Sequence, residues 1–276
     1  MELTIAHTPD ADDAFMYYAL TTKKVNTKGY IFKHVIKDIH SLNLDARNGL
    51  WDVTAISFAA YPEVSHNYQL LSCGASIGEG YGPIVVSKEP MNPEDLLHAK
   101  IAIPGKTTSA YLVLCHFLGE RGKPEFVEIN FSEVPNAIIE GQVQAGVLIH
   151  EAQVTYQQFG LREVVDLGKW WLQKHNLPLP LGANAIRRAL PEQVKVGVAR
   201  IIRSAIEWSL ANTPDALSYA LNFARGTRRD VTERFIKMYV NQKSIELDQA
   251  SIEAIRLLLS LRRSPPLTPV DIITPR

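Results

Sequence analysis

The sequence predicts a two-domain α/β protein with a ligand cleft between its lobes, and three observations carry that prediction. Apolar runs of strand length alternate with amphipathic helical segments through the first two thirds of the chain. The opening reads strand, helix, strand, helix, strand, which implies right-handed crossovers and a parallel sheet. At 276 residues the chain exceeds one typical core and suits two domains of about 100 to 150 residues each. Two proline-marked crossings divide it, giving a large discontinuous domain, 1–88 plus 184–276, and a small α/β domain, 89–183.

Composition narrows the function classes. Lys and Arg total 29 and Asp and Glu total 29, so no net field argues for nucleic acid or an anionic membrane as partner. The basic pairs Arg187-Arg188, Arg228-Arg229 and Arg262-Arg263 read as solvated helix faces or ends. Cys73 and Cys115 both stand in apolar segments, which suits reduced, buried thiols in a cytosol. The start Met1-Glu2-Leu3-Thr4-Ile5-Ala6 has no basic region before a long apolar run, so it reads as a first strand and not as a secretion signal. The expected location is cytoplasmic. No run approaches the length of a membrane span.

Leu3 to His7 is the first strand, followed by Thr8-Pro9-Asp10-Ala11-Asp12-Asp13 and an apolar helix from Ala14 to Leu20. Side-chain oxygens just ahead of a helix accept from its free N–H groups, so one or two of Asp10, Asp12 and Asp13 are expected as caps; the trio also has the look of a metal cluster, but without EF-hand spacing. Tyr30 to Ile39 alternates as a strand, Ser41 to Asn48 is a short helix stopped by Gly49, and Asp52 to Phe58 is a buried strand. Ser57 falls at the carboxyl end of that strand, on the rim where open α/β sheets bind ligands; a buried hydroxyl bonded to backbone is the alternative. Gly74 to Gly82 reads as a flexible passage, because a strand, Pro83 to Lys88, follows where a dinucleotide fingerprint needs a helix.

The second domain begins with a helix from Asn92 to Ala99 and the strand Lys100 to Ile103, which leads into Pro104-Gly105-Lys106-Thr107-Thr108-Ser109. Lys100 stands where a Walker A motif needs its first glycine, so that motif is excluded. Thr107, Thr108 or Ser109 caps the helix Ala110 to Leu118, whose free N–H groups and positive dipole end suit a carboxylate or hydroxyl oxygen. Val127 to Phe131 is a strand and Ser132 to Gly141 a helix. Then comes Ala145-Gly146-Val147-Leu148-Ile149-His150-Glu151, an apolar run that delivers an ionisable pair to the sheet rim. Most histidines cap or pack, but an imidazole in this position is placed for proton transfer near neutrality.

Ala152 to Gly160 continues as helix and Leu161 to Leu167 as strand. Trp170-Trp171 opens a short helix, with indoles suited to packing or to stacking on a planar ligand. Leu177 to Asn184 is too proline-rich for helix and is taken as the return crossing. Helices are expected over Pro191 to Asn212, Pro214 to Arg225, Asp230 to Val240 and Asp248 to Leu261, with Pro265 to Pro269 as irregular surface chain. No zinc-hydrolase motif and no Cys-x-x-Cys occurs. Two sheets joined by two crossings make a hinged cleft, which serves either to trap a solute or to shield a reaction from water.

Several of these stretches together resemble the 1,4-dihydroxy-6-naphthoate synthase family of the futalosine route to menaquinone. They are Thr8 to Phe15, Gly82-Pro83-Ile84-Val85-Val86, Pro104 to Thr108, Leu148-Ile149-His150-Glu151 with Tyr156 and Gly160-Leu161, and Pro178-Leu179-Pro180-Leu181-Gly182. The resemblance covers about the first two thirds of the chain; the helical tail follows it only in pattern. It implies a periplasmic-binding-protein-like (type II) fold and a cofactor-free lyase that splits cyclic dehypoxanthinyl futalosine, a small-molecule substrate with a carboxylate. It carries the catalytic base onto His150 and the ligand-contacting hydroxyls onto Ser57, Thr107 and Thr108. The chain departs from the family at Thr8 to Asp13, where relatives often have Ser-Pro-Cys-Pro-Asn-Asp, which leaves the roles of Asp10 and Asp12 open. Two other functions suit the architecture: a chorismate dehydratase-like enzyme of the same pathway, which the His-Glu run argues against, and a non-enzymatic binding protein.

Overall fold

The computed structural model describes residues 1–262 and 270–274; the expectation for Pro265 to Pro269 lies outside them. The chain forms two sheets. The larger has seven strands in the order β12-β4-β11-β3-β1-β2, with β5 added beside β11. Its strands are β1 (Glu2–His7), β2 (Ile31–Ile36), β3 (Val53–Ser57), β4 (Tyr68–Leu71), β5 (Ser76–Gly78), β11 (Leu179–Arg187) and β12 (Ile272–Ile273). The smaller has five, ordered β10-β6-β9-β7-β8: β6 (Ile84–Ser87), β7 (Lys100–Ile103), β8 (Glu125–Glu128), β9 (Ala145–Leu148) and β10 (Arg162–Asp166).

The β-α-β opening gives the expected parallel pairs, β1 with β2 and β1 with β3. The helix Ala11–Thr21 lies between β1 and β2, and the helix Ile39–Arg47 between β2 and β3. In the smaller sheet β7 pairs in parallel with β8 and β9. Both sheets therefore bring parallel carboxyl ends to one rim, where strand-to-helix turns sit. One strand in each sheet runs the other way: β11 is antiparallel to β3, β4 and β5, and β6 is antiparallel to β9 and β10.

Strand pairing places the crossings a few residues from where composition put them. Ile84–Ser87, expected at the end of the first domain, is bonded into the smaller sheet through β9 and β10. Leu179–Arg187, expected as an irregular return, is a nine-residue strand of the larger sheet. Prolines 178 and 180 were the misleading signal: Pro180 pairs with Ile77 beside a register shift, a position that tolerates a missing N–H. The chain thus passes between sheets at 79–83 and 176–178. The glycine-rich passage is likewise part strand, since Ser76–Gly78 pairs with β11. One of its glycines serves a close approach: a Cβ on Gly82 would lie 3.1 Å from Gly168 Cα, so the crossing packs backbone to backbone.

One core lies on each face of the larger sheet. Leu3 and Ile5 of β1 pack with Phe15 and Met16 and with Ile202 and Ile206 of the helix Glu192–Ala211. On the other face Ile56 and Phe58 join a cluster that continues through Ile101, Val113 and Trp171 of the smaller lobe to Ile255 of the helix Gln249–Ser260. Trp171 is fully buried and donates Nε1–H to Pro178 O at 3.0 Å, so its role is packing at the return crossing. Cys73 is buried and Cys115 half-buried, both as free thiols. No helix among the described residues is long and apolar enough to cross a membrane.

Candidate active site between the lobes

The rim turns of the two sheets face each other across a cavity that encloses about 770 Å³ of space free of protein atoms, open solvent included. The larger lobe contributes Thr8, Asp10, Asp12 and Asp13 after β1, Ser57 at the end of β3, and Asn184 of β11. The smaller lobe contributes Thr108, Ser109 and Ala110 after β7, and Ile149, His150 and Gln153 after β9.

His150 stands on the cavity wall, but not at the end of a strand as expected. The strand stops at Leu148, and His150 takes φ 62, a left-handed conformation that costs a non-glycine residue about 1–2 kcal/mol. The turn is held because Gln153 N donates to His150 O at 3.0 Å. In the amide orientation that satisfies its neighbours, the Gln153 side chain also accepts from His150 N and donates to Gly82 O and Tyr239 Oη. Phe131 meets the imidazole edge-on, ring centroids 4.6 Å apart. The ring's Nδ1 is buried without a hydrogen-bond partner. Burial lowers the imidazole pKa to about 4, with Asp10 pulling it up and Arg225 pushing it down, so the ring is neutral near pH 7 and free to accept a proton.

Glu151 turns away from the imidazole because the left-handed turn separates the two side chains. Its buried carboxylate crosses the cleft, accepting from Ala11 N at 3.2 Å and lying 3.4 Å from Arg225 Nη1. Burial raises its pKa to about 7, with Asp10 adding to the effect and Arg225 opposing it. Burial also raises Asp12 well above the carboxylate range, reinforced by Asp13, Asp10 and Glu151. Asp13 rises to about 6, again through burial, although it accepts from Thr8 N at 2.7 Å and Thr8 Oγ1 at 2.9 Å. One wall thus presents in Asp12 an acid that holds its proton near neutrality and the other a neutral imidazole, a pairing suited to proton exchange with a bound molecule.

The aspartates do not act as the expected cap. Asp10 occupies the N-cap position of Ala11–Thr21 without a side-chain cap bond, and its carboxylate instead accepts from Arg225 Nη2 at 2.8 Å. Among the described residues no group of three or more His, Cys, Asp or Glu is arranged to hold a metal ion.

The three hydroxyl residues separate. Ser57 lines the cavity; its Oγ accepts from Asn43 Nδ2 at 3.0 Å, and its N–H donates to Asn43 Oδ1 at 2.8 Å. Thr108 lines it too and is the N-cap of the helix Ser109–Leu118, accepting from Tyr111 N at 3.2 Å. Ser109 and Ala110, in the first turn of that helix, line the cavity as well. Thr107 is not part of the wall. It is buried behind it, with its Oγ1 3.0 Å from His40 Nδ1 and 3.1 Å from Asn43 Nδ2, and so ties the lobes together. Gly105 permits this contact, since φ 136 and a Cβ position 2.3 Å from His40 Nδ1 leave no room for a side chain. Ser109 Oγ donates to Leu181 O at 2.6 Å, a second bond across the cleft.

Sequence reasoning missed Asn43, Phe131, Gln153, Asn184 and Arg225. No local spacing marks them: even the helix that carries Asn43, Ile39–Arg47, is polar enough that one more amide does not stand out. Gly74-Ala75-Ser76-Ile77-Gly78 has the Gly-x-Ser-x-Gly spacing of a nucleophile elbow, also passed over in the sequence. Ser76 begins β5, however, and a further crossing follows where the elbow needs a helix, so it is not one.

Two α/β lobes on two crossings, with a cavity between their rims, define a protein of the periplasmic-binding-protein-like fold. A Candida albicans protein described as having the generic periplasmic binding protein fold superposes with a TM-score of 0.72 at 12% identity, covering 96% of this chain and 92% of that one. The chain belongs to the 1,4-dihydroxy-6-naphthoate synthase family of menaquinone biosynthesis: residues 3–263 match the family described as menaquinone biosynthesis. It is 33% identical over 258 residues to the 1,4-dihydroxy-6-naphthoate synthase of Thermus thermophilus, covering 94% of this chain and 93% of the relative. A crystal structure of a protein from Archaeoglobus fulgidus has a TM-score of 0.89 at 42% identity, covering 94% of this chain and 96% of that one.

Proposed function

We propose that the protein is a carbon–carbon lyase converting cyclic dehypoxanthinyl futalosine to 1,4-dihydroxy-6-naphthoate, with His150 as general base. The observation that carries this reading is the neutral imidazole of His150 on the wall of a cavity closed by both lobes. The first-turn amides at Ser109 and Ala110, with Thr108 and Ser57 beside them, hold the substrate carboxylate. Thr107 supports that turn from behind through His40 and Asn43. His150 removes a hydroxyl proton from the sugar-derived ring, the ring opens, and a retro-aldol-like cleavage follows, driven by aromatisation. The proton taken up by His150 is returned to the departing fragment, and Asp12 on the opposite wall, held protonated by burial, donates a hydrogen bond to that fragment. The cytoplasm is the proposed location and the free thiols suit it.

The test is incubation of the purified protein with cyclic dehypoxanthinyl futalosine and, separately, with chorismate, following naphthoate by fluorescence and mass. Turnover of the first alone is expected. Turnover of chorismate would reassign the protein to the dehydratase reaction, and tight binding without turnover of either would make it a binding protein.

A further inference from the structure

Arg225 touches both walls around His150. It lies in a turn after the helix Thr213–Ala220 of the larger lobe, with φ 48. On its own lobe Nη2 donates to Asp10 Oδ1 at 2.8 Å and to Pro9 O at 3.3 Å. Across the cleft Nη1 donates to Glu151 Oε2 at 3.4 Å, and the guanidinium lies over the Phe131 ring, 5.1 Å from its centroid. Glu151 and Phe131 are the sequence neighbour and the ring neighbour of His150. The planar fork of arginine suits this arrangement, with separate N–H groups for the two carboxylates and a flat face for the ring. Asp10 is the anchor on which the clasp is built.

We propose that Arg225 is a positioning residue that sets His150 against bound substrate by clasping Glu151 and Phe131 across the cleft, with Asp10 as its anchor. Resting on the lyase reading, this means the base is in register only when the lobes are clasped. Without the guanidinium, the turn from Ile149 to Thr155 keeps its local bonds and its neutral contacts at Ala11 and Tyr239 but loses its charged tie to Asp10, and with it the tight setting of the turn against the larger lobe.

The experiment compares wild type with Arg225→Met, Glu151→Gln and the double variant. Two readouts are taken: kcat and KM for cyclic dehypoxanthinyl futalosine, and hydrogen exchange of the Gln153 and Val154 amides without substrate. These amides donate to His150 O and Glu151 O, both at 3.0 Å. Arg225→Met is expected to lower kcat about a hundredfold, the scale of an ångström's misplacement of a reacting group, with KM moving less than about threefold. The double variant should lose no more than the worse single one, because both remove the same contact. Exchange of the two amides should quicken about tenfold in either variant as the turn loosens. Turnover within about twofold of wild type in Arg225→Met overturns the proposal, as do losses that multiply in the double variant. Should Arg225→Met fail to fold, Asp10→Asn, which releases the anchor, is read the same way. The exchange arm separates the two claims: quickened exchange in a protein that turns over no cyclic dehypoxanthinyl futalosine sustains the clasp and sinks the lyase reading, whereas unchanged exchange in an active enzyme sinks the clasp.

Discussion

The two walls of the cavity are built alike and charged differently. Each is formed where parallel strands end, β1 and β3 in the larger lobe and β7 and β9 in the smaller, so topology supplies the same kind of rim twice. The larger lobe fills its rim with Asp10, Asp12 and Asp13; the smaller fills its own with an imidazole and the amino end of a helix. Burial, reinforced by neighbouring carboxyl groups, makes Asp12 hold its proton, while burial makes the His150 imidazole shed one. Repeating one architecture thus yields an acid wall and a base wall that face each other across the cavity.

Changing each wall in turn would break or sharpen that contrast. His150→Asn should lower kcat by at least about a hundredfold, the lower bound for general-base help, while still binding substrate. Asp12→Asn should stay within about tenfold of wild type, because an amide keeps a donor where the protonated carboxyl had one. Equal losses at the two positions, measured by steady-state naphthoate formation, would mean that the walls do not divide the work this way.

The seam between the walls comes next in size. Gly105→Ala puts a methyl group against His40 at a backbone conformation that disfavours it, and should cost about 1–3 kcal/mol in urea unfolding. Thr108→Val removes a helix cap worth about 1 kcal/mol and should raise KM, since the same turn faces the cavity. Thr107→Val, one residue away but behind the wall, should leave KM closer to wild type. A larger KM change at Thr107 than at Thr108 would place the substrate on the wrong side of the turn.

The smallest expected effect is a pH dependence. Glu151 has a pKa of about 7 in the folded protein, above the usual 4.5, so the native state binds its proton more tightly than the unfolded chain does. Its contribution is intact below 4.5 and is lost as pH rises to about 7. Asp13 acts in the same sense up to about 6, and His150 in the opposite sense, favouring the native state above 6.5 and losing that as pH falls toward 4. The Glu151→Gln variant should therefore gain on wild type as pH rises, by on the order of 1 kcal/mol between about pH 5 and about pH 7.5. Urea unfolding at both values checks the sign. A gain in the other direction would mean that the Arg225 pairing outweighs the burial of Glu151.

Much of the site was legible in sequence because its framework is local. An apolar run ending in His150, a strand ending at Ser57 and a Thr-Thr-Ser turn before an apolar helix all report periodicity and capping within a few residues. The errors were local signals read too literally. Prolines suggested an irregular crossing where Leu179–Arg187 is a strand, and three aspartates before a helix suggested caps where Asp10 reaches for Arg225. Thr107 and Thr108 look interchangeable in sequence, yet one faces the cavity and the other the seam.

By itself the sequence determined which segments became strands and helices and which turns would meet at a rim, because hydrogen-bond periods, caps and apolar alternation act over a single turn or pleat. Only the tertiary structure decided which side chains face the cavity and what proton each carries. Ala11 meets Glu151 across 140 positions, and Arg225 meets Asp10 across 215. Desolvation and charge coupling depend on distance in space, and no spacing along the chain encodes them.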